Sequence, residues 1–159
     1  MGPSQRWFAR PPQQGDIVLF RLPHEPSVTY IKRLIGMPGD RVQMRAGLLY
    51  LNGEAVPHQP EGEWTDRTYE PQTVPLFRET LPSGRSYLVA DTMQGSRGDD
   101  TEEFVVPPGH YFMLGDNRDN SLDSRFDVGF VPQDNVVARA GVVVFNASQK
   151  ERSWISLNP

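Results

Sequence analysis

Two places in this chain combine residue types that do chemistry. The first is Lys32, within Val28-Thr29-Tyr30-Ile31-Lys32-Arg33-Leu34-Ile35. In an extended strand successive side chains point to opposite faces. Val28, Tyr30, Lys32 and Leu34 then share one face, and Thr29, Ile31, Arg33 and Ile35 share the other. Each face carries a single cation among apolar or aromatic neighbours. An amine held on such a face loses hydration, so its charged form is disfavoured and its pKa falls. A lysine brought from about 10.4 to about 7–8, roughly 3–5 kcal/mol of differential interaction, is a competent general base. The same strand also allows a lysine whose stem lies on the apolar face while its amine reaches water.

The second place is the run Gly115-Asp116-Asn117-Arg118-Asp119-Asn120-Ser121-Leu122-Asp123-Ser124-Arg125, flanked by the apolar stretches 111–114 and 128–131. Asp, Asn and Ser side chains bond to nearby backbone and build compact turns. Asp123 and Arg125 can form a bidentate pair with a neighbour or with each other. The run reads either as such a built loop or as a solvated connector. It does not read as a calcium loop, which needs oxygen ligands at positions 1, 3, 5 and 12 and glycine at 6. A start at Asp116 puts Arg118 at position 3 and Ser121 at 6. A start at Asp119 puts Ser124 at position 6 and Phe130 at 12. His24, His58 and His110 lie far apart without zinc spacing. The chain has no cysteine, which excludes thiolate chemistry and disulfides. No metal and no cofactor is expected.

Both places need a scaffold. With 159 residues the chain has enough length for one core. Proline (15) and glycine (14) interrupt it too often for an all-α bundle. Short β-branched runs bounded by Gly, Pro, Asn and Asp predict strands at 17–20, 28–35, 41–44, 48–51, 54–56, 86–90, 104–106, 110–114, 136–139 and 142–145. Asn52-Gly53 is the strongest hairpin signal, because both residues tolerate the positive φ of a type I′ turn. The Pro-, Glu-, Gln- and Thr-rich stretch from about residue 57 to 82 reads as an irregular excursion with one strand. The polar loop 94–103 extends it to about residue 103. The fold class expected is all-β, with many short antiparallel strands in a sandwich-like or partly barrelled arrangement. The domain spans 13–150. An N-terminal arm, 1–12, precedes it, in which Met1-Gly2-Pro3-Ser4 reads as an expression scar. A tail, 151–159, follows. The net charge of −4, with scattered Lys and Arg, points away from nucleic acid. No apolar run reaches the ~18 residues of a membrane span.

Three segments, in this order, resemble signal peptidase I, a membrane-bound Ser/Lys endopeptidase family. They are Gly15-Asp16-Ile17-Val18-Leu19-Phe20, then Tyr30 to Asp40 (YIKRLIGMPGD), then Gly109 to Arg125 (GHYFMLGDNRDNSLDSR) with Gly129-Phe130-Val131-Pro132. The last is the most distinctive. The resemblance implies that Lys32 is the general base and that Ser121 hydrogen-bonds and orients its amine. It implies that Asp123 and Arg125 support the loop by a salt bridge, and that Asp116 braces the same region. Tyr30 and Ile31 would line the groove that takes the signal peptide as an added strand, a mode in which main-chain bonds give affinity and alternate side chains fill pockets.

The family's nucleophile lies in a Ser-Met-x-Pro-Thr-like segment. Ser4, within Gly2-Pro3-Ser4-Gln5-Arg6, does not fit that pattern. The expectation is therefore a truncated catalytic domain without nucleophile or membrane anchor, inactive as written, since a Ser/Lys pair acts as a unit. Its partners would be signal peptides of exported preproteins and, for the parent protein, the inner-membrane surface, with the domain on the periplasmic side. Two alternatives are a conjugation-type Ser/Lys maturation peptidase and a non-catalytic peptide-binding β-domain.

Overall fold

The computed structural model describes residues 10–67 and 70–140, with the paired backbone at 142–143 and 155–156. Most of the N-terminal arm, including Ser4, lies outside the described residues. So do the end of the strand expected at 142–145 and most of the tail.

The main sheet has five strands in the order β11-β10-β2-β1-β12. These are β1 (Ile17–Arg21), β2 (Thr29–Gly36), β10 (His110–Leu114), β11 (Val131–Pro132) and β12 (Val136–Arg139). A four-stranded sheet follows the order β5-β4-β3-β9, from β3 (Arg41–Arg45), β4 (Leu48–Leu51), β5 (Glu54–Ala55) and β9 (Phe104–Val105). A three-stranded sheet has β6 (His58–Asp66), β7 (Gln72–Thr80) and β8 (Ser86–Ala90). A short pair joins β13 (Val142–Val143) to β14 (Ile155–Ser156). Among the described residues every strand ladder is antiparallel. The all-β class expected from the strand pattern is the one observed. Among the described residues the one helical element is a 3-10 turn, Gln133–Asn135, and no helix is long and apolar enough to cross a membrane.

Around the C-terminal half of β2 and β10 the main sheet buries both of its faces. Val18, Phe20, Leu34, Tyr111, Met113 and Val131 form one cluster. Ile35, Phe112 and Leu114 turn the other way and pack with Val42, Met44, Leu49, Leu81 and Val89 from the remaining sheets. The alternation along β2 and β10 is thus the two-face pattern of a strand covered on both sides. Asn52 (φ 54°) and Gly53 (φ 85°) both adopt the left-handed conformation their turn requires.

The excursion expected after residue 57 is instead an ordered ribbon, two nine-residue strands paired from His58–Glu79 to Asp66–Gln72. Its prolines explain why composition hid it. Pro60 sits on an edge strand beside a register shift, and Pro75 lies beyond the end of β8, whose pairing with β7 stops at Leu76–Ala90. Proline is tolerated at both kinds of position because no ladder bond is lost.

Candidate active site

Strand register brings the two chemically interesting places together. On β2, Lys32 shares its face with Leu34 and with Val18, its partner on β1. On the other side of β2 the ladder to β10 ends where Leu114 meets Arg33. The chain therefore leaves the sheet at Gly115, next to Lys32. Six residues later the loop returns Ser121, whose Oγ accepts a hydrogen bond from Lys32 Nζ at 2.9 Å. Gly115 makes the return possible. A Cβ there would lie 2.0 Å from Ser121 Oγ and 2.4 Å from Ser121 Cβ, so the serine occupies the space that a side chain would need.

Lys32 is half-buried, with its amine 5.5 Å from the Tyr30 ring centroid. Its pKa is lowered from 10.5. Burial is the main cause, Asp123 and Asp116 pull it back up, and Arg125 pushes it further down. Loss of hydration thus outweighs the nearby carboxylates, which is the direction a general base needs.

The loop is built rather than solvated. Asp123 is fully buried and accepts four hydrogen bonds. Oδ1 takes Arg125 Nε (2.9 Å) and Arg125 N (3.2 Å), and Oδ2 takes Arg125 Nη2 (2.9 Å) and Gly115 N (3.0 Å). Arg125 Nη2 also donates to the Arg118 carbonyl at 2.8 Å. Ser124 exchanges two bonds with the Met113 backbone. Asp116 forms a bidentate pair with Arg33, at 2.8 and 2.6 Å, on the face of β2 opposite Lys32. It reaches Lys32 through its charge and through the backbone it holds. Tyr30 lies on the face of Lys32 and Ile31 on the other, both half-buried.

Several site-building residues carry no role in the sequence reading. Arg118 and Glu79 form a buried bidentate pair, and Arg33 lies over the Tyr87 ring at 4.2 Å. Arg118 was within reach, since it belongs to the polar run. Glu79 was not, because it belongs to the ribbon that composition concealed.

Among the described residues, Asp91, Asp99 and Asp119 bring carboxylate oxygens within 4.8 Å of one another, the one group able to hold a metal ion. Some of its oxygens are engaged by protein donors, while Asp119 Oδ1 is buried without a hydrogen-bond partner. Asp99 accepts from Gly95 N, Ser96 N and Ser96 Oγ, and Asp119 Oδ2 accepts from Thr92 N, Thr92 Oγ1 and Met93 N. The cluster ties the loop after β8 to the loop that carries Ser121.

Residues 4–145 match the family described as signal peptidase, peptidase S26, and the chain belongs to that family. It is 44% identical over 147 residues to the signal peptidase I of Rickettsia bellii (strain OSU 85-389), covering 89% of this chain and 50% of that protein. It is equally identical to the signal peptidase I of Rickettsia massiliae (strain Mtu5), covering 54% of it. The chain thus spans about half the length of the curated relatives it matches. A crystal structure of a signal peptidase I from Enterococcus faecalis V583 is 31% identical, covers 80% of this chain and 94% of that one, and superposes with a TM-score of 0.48.

Proposed function

We propose that this chain carries the general-base half of a Ser/Lys endopeptidase that removes signal peptides from exported preproteins. The observation that carries the reading is the 2.9 Å bond from Lys32 Nζ to Ser121 Oγ, at an amine whose charged form is disfavoured. In this reading neutral Lys32 accepts the proton of the nucleophilic hydroxyl as it attacks the scissile carbonyl. It then returns that proton to the leaving amine. Ser121 holds the amine in line, and the Asp123–Arg125 clamp holds Ser121.

The sheet edge supports an extended substrate. The ladder from β10 reaches β2 only as far as Arg33, so among the described residues no strand pairs with 29–32 on that side. A peptide added there would run beside Tyr30 and Ile31 and end at Lys32. No serine of this chain stands in a Ser-Met-x-Pro-Thr pattern. The reading therefore assigns the nucleophile to a segment outside these 159 residues and expects this chain alone to be inactive. In the parent protein the domain would work at the inner membrane, on its periplasmic side.

The test joins a Ser-Met-x-Pro-Thr-bearing segment to this domain and measures cleavage of a signal-peptide substrate. Cleavage should require both the new serine and Lys32, and Lys32→Ala should abolish it without unfolding the protein. Cleavage by the 159-residue chain alone that disappears in Ser121→Ala would make Ser121 the nucleophile and overturn the assignment.

A further inference from the structure

We propose that Glu79, on a strand outside all three motif segments, is a positioning residue for the Lys32–Ser121 pair and acts through Arg118. The proposal rests on the base assignment above. Glu79 is fully buried, and its carboxylate faces three donor atoms and a ring nitrogen of His58. Arg118 Nη1 donates to Oε1 at 2.7 Å and Nη2 to Oε2 at 2.6 Å. Tyr87 Oη donates to Oε2 at 2.9 Å, and His58 Nδ1 lies 3.4 Å from Oε1. The ring of His58 is held in turn by stacking on Phe77, with centroids 4.3 Å apart. Burial opposes the charge of Glu79 most strongly. Arg118, His58 and Tyr87 together outweigh burial and hold its pKa down to about 2. The carboxylate is therefore ionised at neutral pH.

Arg118 transmits this anchoring to the loop at two points. Its Nε donates to the Gly115 carbonyl at 3.2 Å, and its own carbonyl accepts Arg125 Nη2 at 2.8 Å. Gly115 is the residue whose missing Cβ gives Ser121 its place, and its amide is bound by Asp123. Arg125 is the cation that clamps Asp123. A guanidinium fixed at both nitrogens by one carboxylate has its plane set, so its third nitrogen is aimed at Gly115. Glu79 thereby fixes the turn into the loop and the clamp that closes it, without touching the reacting atoms.

A group that only stabilises the fold would lower the melting temperature and leave the Lys32 amine as it is. A positioning group would change that amine too. The experiment is an NMR titration of the Lys32 ζ-amine in the 159-residue chain, below the onset of unfolding for each variant. Glu79→Gln keeps the shape of the side chain and removes its charge. It should raise the pKa of Lys32 by about half a pH unit or more, as the loop relaxes and water reaches the amine. Glu61→Gln breaks an exposed pair on the same ribbon and should leave the titration unchanged. Where Glu79→Gln does not fold, Tyr87→Phe removes one donor from the carboxylate and should move Lys32 in the same direction by less. An unchanged Lys32 titration in a folded Glu79→Gln or, failing that, Tyr87→Phe, with Ser121→Ala moving it, would overturn the role of Glu79 and leave the base assignment standing. A titration unmoved by Ser121→Ala would overturn the base assignment itself.

Discussion

Arg125→Ala separates a clamped loop from a solvated one. In the native structure the Asp123 and Arg125 side chains are 0% and 1% exposed. Truncating Arg125 removes the two charged bonds at 2.9 Å and leaves the Asp123 carboxylate with backbone donors only, Gly115 N at 3.0 Å and residue 125 N at 3.2 Å. It also strips the Arg118 carbonyl of its 2.8 Å donor. Removing one partner of a buried pair strands the other charge, at a cost of about 3–5 kcal/mol. In a domain of this size each kcal/mol moves the melting midpoint by roughly 2–4 °C, so the fall should be roughly 6–20 °C. Urea unfolding followed by tryptophan fluorescence, with calorimetry alongside, measures it. Arg78→Ala, which breaks the exposed pair with Glu61, is the control and should leave the midpoint in place. A second readout follows from charge. Arg125 pushes the Lys32 pKa down, so its removal should raise it. A fall no larger than that of Arg78→Ala, with Lys32 unmoved, would refute the idea that the pair builds the site.

Gly115→Ala should break the Lys32–Ser121 bond, because a Cβ 2.0 Å from Ser121 Oγ forces the serine away by more than about 1 Å. A crystal structure of the variant that keeps the 2.9 Å contact would contradict this. Asp91 supplies a pH prediction. Burial, then the charges of Asp119 and Asp99, raise its pKa from 3.8 to about 6. The folded state therefore binds this proton more tightly than the unfolded chain does, and the contribution of Asp91 falls as pH rises from about 4 to about 6. For this half-buried group the loss should be about 1 kcal/mol. Asp91→Asn should stabilise the chain at pH 7 relative to pH 4, judged by urea midpoints, and equal effects at both pH values would disprove it. Glu79 has the opposite sign, since its stabilisation is present above about pH 4.5 and is lost as pH falls toward about 2.

The parts of this site that could be read from the sequence are those contiguous along the chain. Alternation alone placed Lys32 with Tyr30 and Leu34, and the observed register keeps that face. The run 115–125 reads from its Asp, Asn, Ser and Arg residues as either a built loop or a solvated connector, and the buried Asp123–Arg125 clamp is what decides for the first. The meeting of Lys32 with Ser121, 89 residues apart, was legible only through family resemblance. Physically it depends on where the β10–β2 ladder stops, and strand periodicity does not encode that stopping point.

Glu79 lies further beyond local reading. Along β7 the buried residues Val74 and Glu79 are five apart, so no period-two pattern marks the acid as internal. Its partners come from three other elements, Arg118 in the loop, Tyr87 on β8 and His58 on β6. An acid among Pro, Glu, Gln and Thr looks solvated until the ribbon folds over Arg118. The loop motif explains how Ser121 is presented. It does not account for the burial of Arg118, whose counter-charge has to come from elsewhere in the chain. A buried cation inside a recognisable motif is therefore a prompt to look for an anion outside it. In this chain that anion stands on the stretch whose composition reads as an irregular excursion.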